Sequence, residues 1–264
     1  MLALSSTGEV VERLAHAETV RAEAYTLGAP LVRALGAAAR RGARVSVALE
    51  AHPYEDRNGS LGRLNARIVE RLRAAGVQAC LRDGLHAKEM AIDGALYLDE
   101  KNWRGDDIVV RLDGAGDRRA VATSRSCALA DEGRLLAGAG PGDDVIVESE
   151  SLGAGNATYA ALVELARRGR KPRLLVTRRV LRETPRERAL LAYLVRDGVR
   201  VRCCDDSAKL AAVGDRAWLG SANATYAGGR WDMSDWGLDT ANPEVTSAVR
   251  QRLEADWASA KPYA

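Results

Sequence analysis

The chain has 264 residues, 47% of them hydrophobic and 28% charged, a composition that excludes a disordered tail, a collagen-like fibre and a disulfide-stapled miniprotein. Its formal charge of +3 is too mild to imply nucleic-acid binding by itself, because Asp and Glu nearly match Lys and Arg. No stretch approaches the apolar run that a membrane span needs and the first residues lack a signal-peptide pattern, so a cytoplasmic protein without integral membrane association is expected.

GEVVERLAHAETV (8–20) has helical periodicity and carries His16 on a solvated side. LVRALGAAARRGA (31–43) predicts an amphipathic helix that leads into the strand RVSVALE (44–50), and His52 follows at the strand's C-terminal end, where α/β sites tend to open. LNARIVERLRAAG (64–76) predicts a second amphipathic helix that ends at a glycine, followed by the β-rich VQACL (77–81). In LHAKEMAIDGALYLDEKN (85–102), His86 and Lys88 are two residues apart on a strand and share a face. The stretch 113–144 has less pattern and more Gly and Asp, with one helix expected over 117–137. Its GAGPGDD segment lacks the Lys-Ser/Thr pair and the helix start of a phosphate loop, and reads as an inter-domain turn.

The remainder repeats the first part in the same order. Thr26-Leu27-Gly28-Ala29 returns as Ser151-Leu152-Gly153-Ala154. A helix (159–169), a strand (172–177), a second helix ending at glycine (186–198) and a β-rich run (199–204) follow, and DSAKLAAVGDRAWLGSAN (206–223) echoes 85–102. Strands alternating with helices imply an α/β protein of two similar halves, with sheets covered on both faces. The divisions expected are a first half over 1–115, a linker with a possible helix over 116–142, and a second half over 143–264. Cys80, Cys127, Cys203 and Cys204 show no CxxC or Cys/His spacing and read as buried free thiols.

His86-Ala87-Lys88, followed after four residues by Asp93, resembles the HxKxxxxD motif of the phospholipase D superfamily, and Gly220-Ser221-Ala222-Asn223 resembles the GSxN that follows it. The resemblance covers nearly the whole chain. It implies two mixed sheets flanked by helices, related by a pseudo-twofold, with a cleft between them that holds a phosphodiester. It also implies metal-independent hydrolysis or phosphatidyl transfer on a phospholipid or nucleic acid, without a cofactor, through a phosphohistidine. In that pattern one half supplies the nucleophilic His and the other a His that protonates the leaving group. This chain departs from it: Ser207 stands at the second His, Gly214 where Asp is expected, and Asp99-Glu100-Lys101-Asn102 where the first half's GSxN would be.

The chemistry supports the same residues independently. A phosphodiester's negative oxygens repel attack, so an enzyme without a metal needs cations beside the phosphate and a neutral nucleophile that titrates near the working pH. His86 meets the second need. Lys88 and Lys209 are two of only five lysines in an arginine-rich chain, and they occupy equivalent places in the repeat. Asn102, Ser221, Asn223 and Ser207 are the uncharged donors expected at the phosphate, and Asp93 is expected to support the His-Lys strand. Serine is no general acid near neutrality. That leaves His52, Glu150 and Asp206 as alternative acids, and a phosphodiester-binding protein without turnover as the alternative function. Glu148 and Glu150 end a strand, where pairing with arginine is the simpler expectation. No His, Cys or carboxylate cluster has metal-ligand spacing.

Overall fold

The structure is a computed structural model that describes residues 1–54, 56, 58–114, 119–178 and 185–263. They form two units: Met1–Arg119 with Met233–Asp235, and Ala120–Asp232 with Trp236–Ala264. The boundary expected at 115–116 lies outside the described residues; the helix expected over 117–137 is shorter, running over Arg125–Ala137 with Ser124 as its N-cap and residues 119–124 non-helical.

The first unit comprises β1 (Leu2–Ser5), α1 (Thr7–Leu14), β2 (Thr19–Ala24), α2 (Ala29–Arg40), β3 (Arg44–Glu50), α3 (Ser60–Ala74), β4 (Gln78–Arg82), β5 (Lys88–Ile92), β6 (Ala95–Asp99) and β7 (Val109–Leu112). Its seven-stranded sheet has the order β1-β7-β6-β5-β2-β3-β4, with β2, β3 and β4 parallel and the other pairs antiparallel. The second unit comprises α4 (Arg125–Ala137), β8 (Val145–Ser149), α5 (Ala157–Arg167), β9 (Arg173–Thr177), α6 (Pro185–Arg196), β10 (Arg200–Cys204), β11 (Leu210–Val213), β12 (Arg216–Gly220), β13 (Gly237–Thr240), α7 (Pro243–Ser259) and β14 (Lys261–Pro262). Its order is β13-β12-β11-β8-β9-β10-β14. Six strands correspond one for one: β7-β6-β5-β2-β3-β4 with β13-β12-β11-β8-β9-β10. The sheets differ only in which end carries the extra strand. The protein is thus α/β, with two mixed sheets of matching topology flanked by helices.

Local chemistry explains the repeat. Four helices end at glycines of positive φ before a strand: Gly42 after α2, Gly76 after α3, Gly169 after α5 and Gly198 after α6. Only glycine takes that left-handed turn at no steric cost, so each helix stops and the chain re-enters the sheet parallel to its neighbour. Helix starts are equally explicit. Ser6 accepts from the Glu9 backbone N–H in an S-x-x-E box at α1, and Asn156 caps α5 through Tyr159 N–H.

Val20, Ala22, Val45, Val47 and Leu49 join Leu14, Leu31, Leu35, Ile68 and Leu72 in the first unit's core. In the second, Val145, Val147, Leu174 and Val176 pack with Leu129, Leu136, Leu162 and Leu191. The opposite face holds the buried Ile146, Leu175, Leu210 and Leu219, where α7 packs against β8, β10, β11 and β12. Strands β8 and β9 are buried along their whole length, as central parallel strands are.

Two expectations are corrected. The helix over 8–20 ends at Leu14, leaving His16 exposed in the following turn; the β-branched Thr19-Val20 pair enters the sheet as β2 instead. Of the four free cysteines, Cys203 and Cys204 are buried but Cys80 and Cys127 are exposed, Cys80 on β4 at the sheet's edge and Cys127 on an outer turn of α4.

Helices α4 and α5 pack closely at Gly133, where a Cβ would lie 2.5 Å from the Ala157 Cβ and 2.8 Å from its backbone carbon. Gly133→Ala gains about 1 kcal/mol of helix propensity, but backbone cannot rotate away, and such overpacking typically costs about 1–3 kcal/mol. A lower urea midpoint is expected for this variant; a midpoint at or above wild type would contradict the close approach.

Candidate active site

His86 lies just before β5, and the approach to it is held by three residues from far along the chain. Ser234 N–H donates to Gly84 O at 2.8 Å and His86 N–H donates to Ser234 O at 3.0 Å. This bridge carries the next residue, Asp235, to the imidazole, where its Oδ1 stands 2.6 Å from His86 Nδ1. His86 is 4% exposed and Asp235 1%, so the contact is shielded from water and its geometry is held. With Nδ1–H given to the carboxylate, Nε2 carries the lone pair.

Lys88 is as buried as Asp235. Its Nζ donates to His86 O at 2.7 Å and lies 3.3 Å from both ring nitrogens. The two-residue period of the strand places that cation on the imidazole's face of the sheet. Tyr25 meets the imidazole edge-on at 5.0 Å between centroids, Tyr54 approaches at 5.7 Å, and Tyr25 Oη donates to Tyr54 O at 3.0 Å. The His-Lys pair is thus walled by two rings.

Asp93 sits past the other end of β5, about 20 Å along the strand from His86. Its carboxylate accepts from Glu18 N–H, Thr19 N–H at 2.8 Å and Thr19 Oγ1, and its φ is +46°. Those bonds, the Thr19 amide foremost, hold its pKa below the usual value. It fastens the β5–β6 turn to the start of β2.

After β6, Asp99-Glu100-Lys101-Asn102 forms a buried ionic loop. Asp99 Oδ2 accepts from Trp103 N–H at 2.7 Å, Glu100 from Ile108 N–H at 3.3 Å, and Lys101 Nζ contacts Asp106 at 3.3 Å with Glu100 and Asp107 at 4.0 Å. Burial, then the charge of Asp107, raises the Asp99 pKa well above the ordinary range. The Lys101 charge is committed within this loop. Asn102 Oδ1 is buried and accepts no hydrogen bond among the described residues.

His52 is on the rim of the same unit, exposed, with Nδ1 2.6 Å from Asp83 Oδ1. The hydrogen bond to Asp83 and its charge raise the His52 pKa, against slight desolvation.

In the second unit the equivalent lysine repeats the geometry. Lys209, 3% exposed, donates from Nζ to Ser207 O at 2.7 Å, as Lys88 does to His86 O. Glu150 Oε2 lies 3.6 Å from that Nζ, so this carboxylate forms an ion pair with the lysine. Ser207 N–H donates to Asp206 Oδ1. Ser221 is fully buried; its Oγ accepts from Trp236 N–H at 3.0 Å and its N–H donates to Trp236 O at 2.9 Å, joining β12 to the chain entering β13. Asn223 is buried just beyond. Gly214, with φ +54°, makes the β11–β12 turn where Asp93 makes the β5–β6 turn.

Among the described residues, one carboxylate group has the spacing of a metal site, Glu148 with Asp206 and Asp256. The Arg252 guanidinium pairs with both aspartates there, and Cys204 Sγ lies 3.7 Å from Glu148. A cation already bridges the group.

Sequence reasoning missed Asp235, Tyr25, Tyr54 and Asp83. Asp235 is 149 residues from its partner, and nothing in its local pattern marks it.

No protein-family model matches this sequence, and no curated protein matches it. Solved structures do. The chain is similar to a polyphosphate kinase from Porphyromonas gingivalis at 14% identity and a TM-score of 0.67, over 97% of this chain and 47% of that one. It therefore spans about half the length of that enzyme. It is also similar to a phosphatidylserine synthase from Haemophilus influenzae at 10% identity and a TM-score of 0.65, over 99% of this chain and 87% of that one. Nuc, a phospholipase D family member from Salmonella typhimurium, aligns with 54% of this chain at 16% identity and a TM-score of 0.46. The chain shares the fold of these two enzymes, the polyphosphate kinase and the phosphatidylserine synthase. No described helix is long and apolar enough to cross a membrane.

Proposed function

We propose that the chain is a phospholipase D-like phosphodiesterase acting by metal-independent hydrolysis or phosphatidyl transfer on a phospholipid or nucleic-acid diester. The observation that carries this reading is the buried Asp235–His86–Lys88 array, which holds an imidazole with Nδ1 occupied beside a lysine cation. In the first step Nε2 attacks phosphorus; a P–N bond forms, a P–O bond breaks, and the departing oxygen takes a proton. In the second, water or an alcohol displaces the histidine. Lys88 neutralises the phosphoryl oxygens with Asn102 as an uncharged donor, Lys209 and Asn223 hold the equivalent places in the second unit's repeat, and each donor preorganised at a phosphate is typically worth about 3 kcal/mol in the transition state. Ser207 serves as one more hydroxyl, and Ser221 and Asp93 support the strands that carry the site.

Intact-mass measurement of protein quenched during turnover of a phosphodiester tests this. A phosphoryl adduct on His86 is expected; turnover without one, or unchanged in His86→Ala, refutes the nucleophile. The second reading, a diester-binding protein without turnover, is favoured by Ser207 and predicts binding with neither adduct nor product. If the site lacks enough acid, Ser207→His speeds cleavage of alkyl diesters more than of aryl diesters, whose leaving group needs no proton.

Activity is expected to survive EDTA, because lysines supply the positive charge; loss on chelation that Mg²⁺, Ca²⁺ or Zn²⁺ restores would overturn the metal-free chemistry.

A further inference from the structure

We infer that His52, held by Asp83, is the general acid that protonates the leaving oxygen in this chain. The inference rests on His86 as nucleophile and supplies the proton that Ser207 cannot. Two carboxylate–imidazole pairs stand on the same edge of the first unit's sheet: His86 with Asp235 and His52 with Asp83, each at 2.6 Å through Nδ1. In both, the bonded Nδ1 leaves Nε2 on the far side of the ring. The two differ as a nucleophile and an acid should. His86 is buried, whereas His52 is 85% exposed in its side chain, open to the alcohol portion of a substrate.

Topology sets their spacing. The strands run β5-β2-β3-β4, so His86 before β5 and His52 after β3 lie two strands apart, about 10 Å at the backbone. Asp83, following β4, lies on the side of His52 away from β5. A phosphoryl group attacked by one imidazole, with its leaving oxygen within hydrogen-bond reach of the other, fits such a gap once the side chains reach inward. The loop bearing His52 is tied to the His86 strand on both sides. Glu50 accepts from His52 N–H at 2.8 Å and, through its other oxygen, from Leu85 N–H; Tyr54 packs against the His86 ring. The charges facing His52 are Asp83 and, more weakly, Glu50. Both favour the imidazolium, which an acid must be when the P–O bond breaks. The proton passes from His52 Nε2 to the departing alkoxide, and the neutral imidazole can take it back from the water that hydrolyses the P–N bond.

The test compares wild type, His52→Ala, His52→Gln and Asp83→Asn on bis(4-nitrophenyl) phosphate and on two dialkyl diesters, a dinucleoside phosphate and a short-chain phosphatidylglycerol. His52→Ala and His52→Gln are expected to slow the dialkyl diesters by about 10²–10⁴-fold and the nitrophenyl ester much less, with loss of the alkaline limb of kcat. Asp83→Asn should move that limb to lower pH. Equal effects on all substrates, no effect, or wild type cleaving only the nitrophenyl ester would overturn the role of His52 while leaving the His86 adduct and the proposed function standing. Absence of both adduct and nitrophenolate from wild type would overturn both.

Discussion

On the proposed function, His86→Ala is expected to abolish the covalent adduct and to lower diester turnover by at least about 10⁴-fold, the scale on which loss of a nucleophile is felt where residues act as a unit. Asp235→Asn leaves the histidine in place but removes the charge that holds it. An asparagine can accept from Nδ1–H or donate to Nδ1, and in the second case Nε2 carries the proton and cannot attack. A fall of about 10²–10⁴-fold is expected, by analogy with the tautomer error of a serine-protease Asp→Asn change. Rapid-quench adduct formation separates the two variants: Asp235→Asn forms the adduct slowly, His86→Ala never. Asp235→Asn at wild-type speed would show that the carboxylate does not set the tautomer.

Glu132→Gln raises stability, and by more as pH rises. Glu132 is buried between α4 and α5 with Thr158 Oγ1 2.6 Å from its carboxylate; burial pushes its pKa up to about 8, the Thr158 hydrogen bond only partly opposing it. Between the unfolded value of about 4.5 and the folded value, the native state holds a proton that the unfolded chain has released. Stability therefore falls with pH across that window, by up to about 1.4 kcal/mol per unit. Below it the group costs nothing, and above about 8 the loss levels off near 5 kcal/mol as an upper bound. Glutamine keeps a partner for Thr158 and carries no charge to desolvate. Denaturation midpoints of both proteins from pH 5 to 8 should diverge steadily; a constant difference would rule out Glu132 as the titrating group.

The repeated core was readable because its signals are local. A helix with an apolar stripe, a glycine after it and a β-branched run beyond make the same sentence at 31–50, 64–81, 159–177 and 186–204. The strands that went unread are mostly short or at the sheet margins, such as Leu2–Ser5 and Lys261–Pro262, or merge into a neighbouring helix pattern, as Thr19–Ala24 does after Val10 and Leu14. In the site, the contact of His86 with Lys88 follows from a two-residue period. The partners Asp235, Asp83, Tyr25 and Tyr54 come from separate loops, and their placement depends on which strands are neighbours, information that no window of sequence contains. The run 99–102 shows the converse: its Lys101 looks like one more phosphate cation, yet its partners Asp106 and Asp107 are close enough in sequence to claim it.

The passage of Met233–Asp235 into the first unit makes the histidine's competence a late event in the life of the chain. A ribosome that has released residues 1–119 has made every strand of the first sheet, but not the carboxylate that orients its imidazole. Closing a contact across 149 residues is slow compared with local helix and hairpin formation. A nascent chain that stops short of Asp235 therefore carries an imidazole without its orienting partner, and the proposed histidine chemistry has to wait until that residue has been made and has docked.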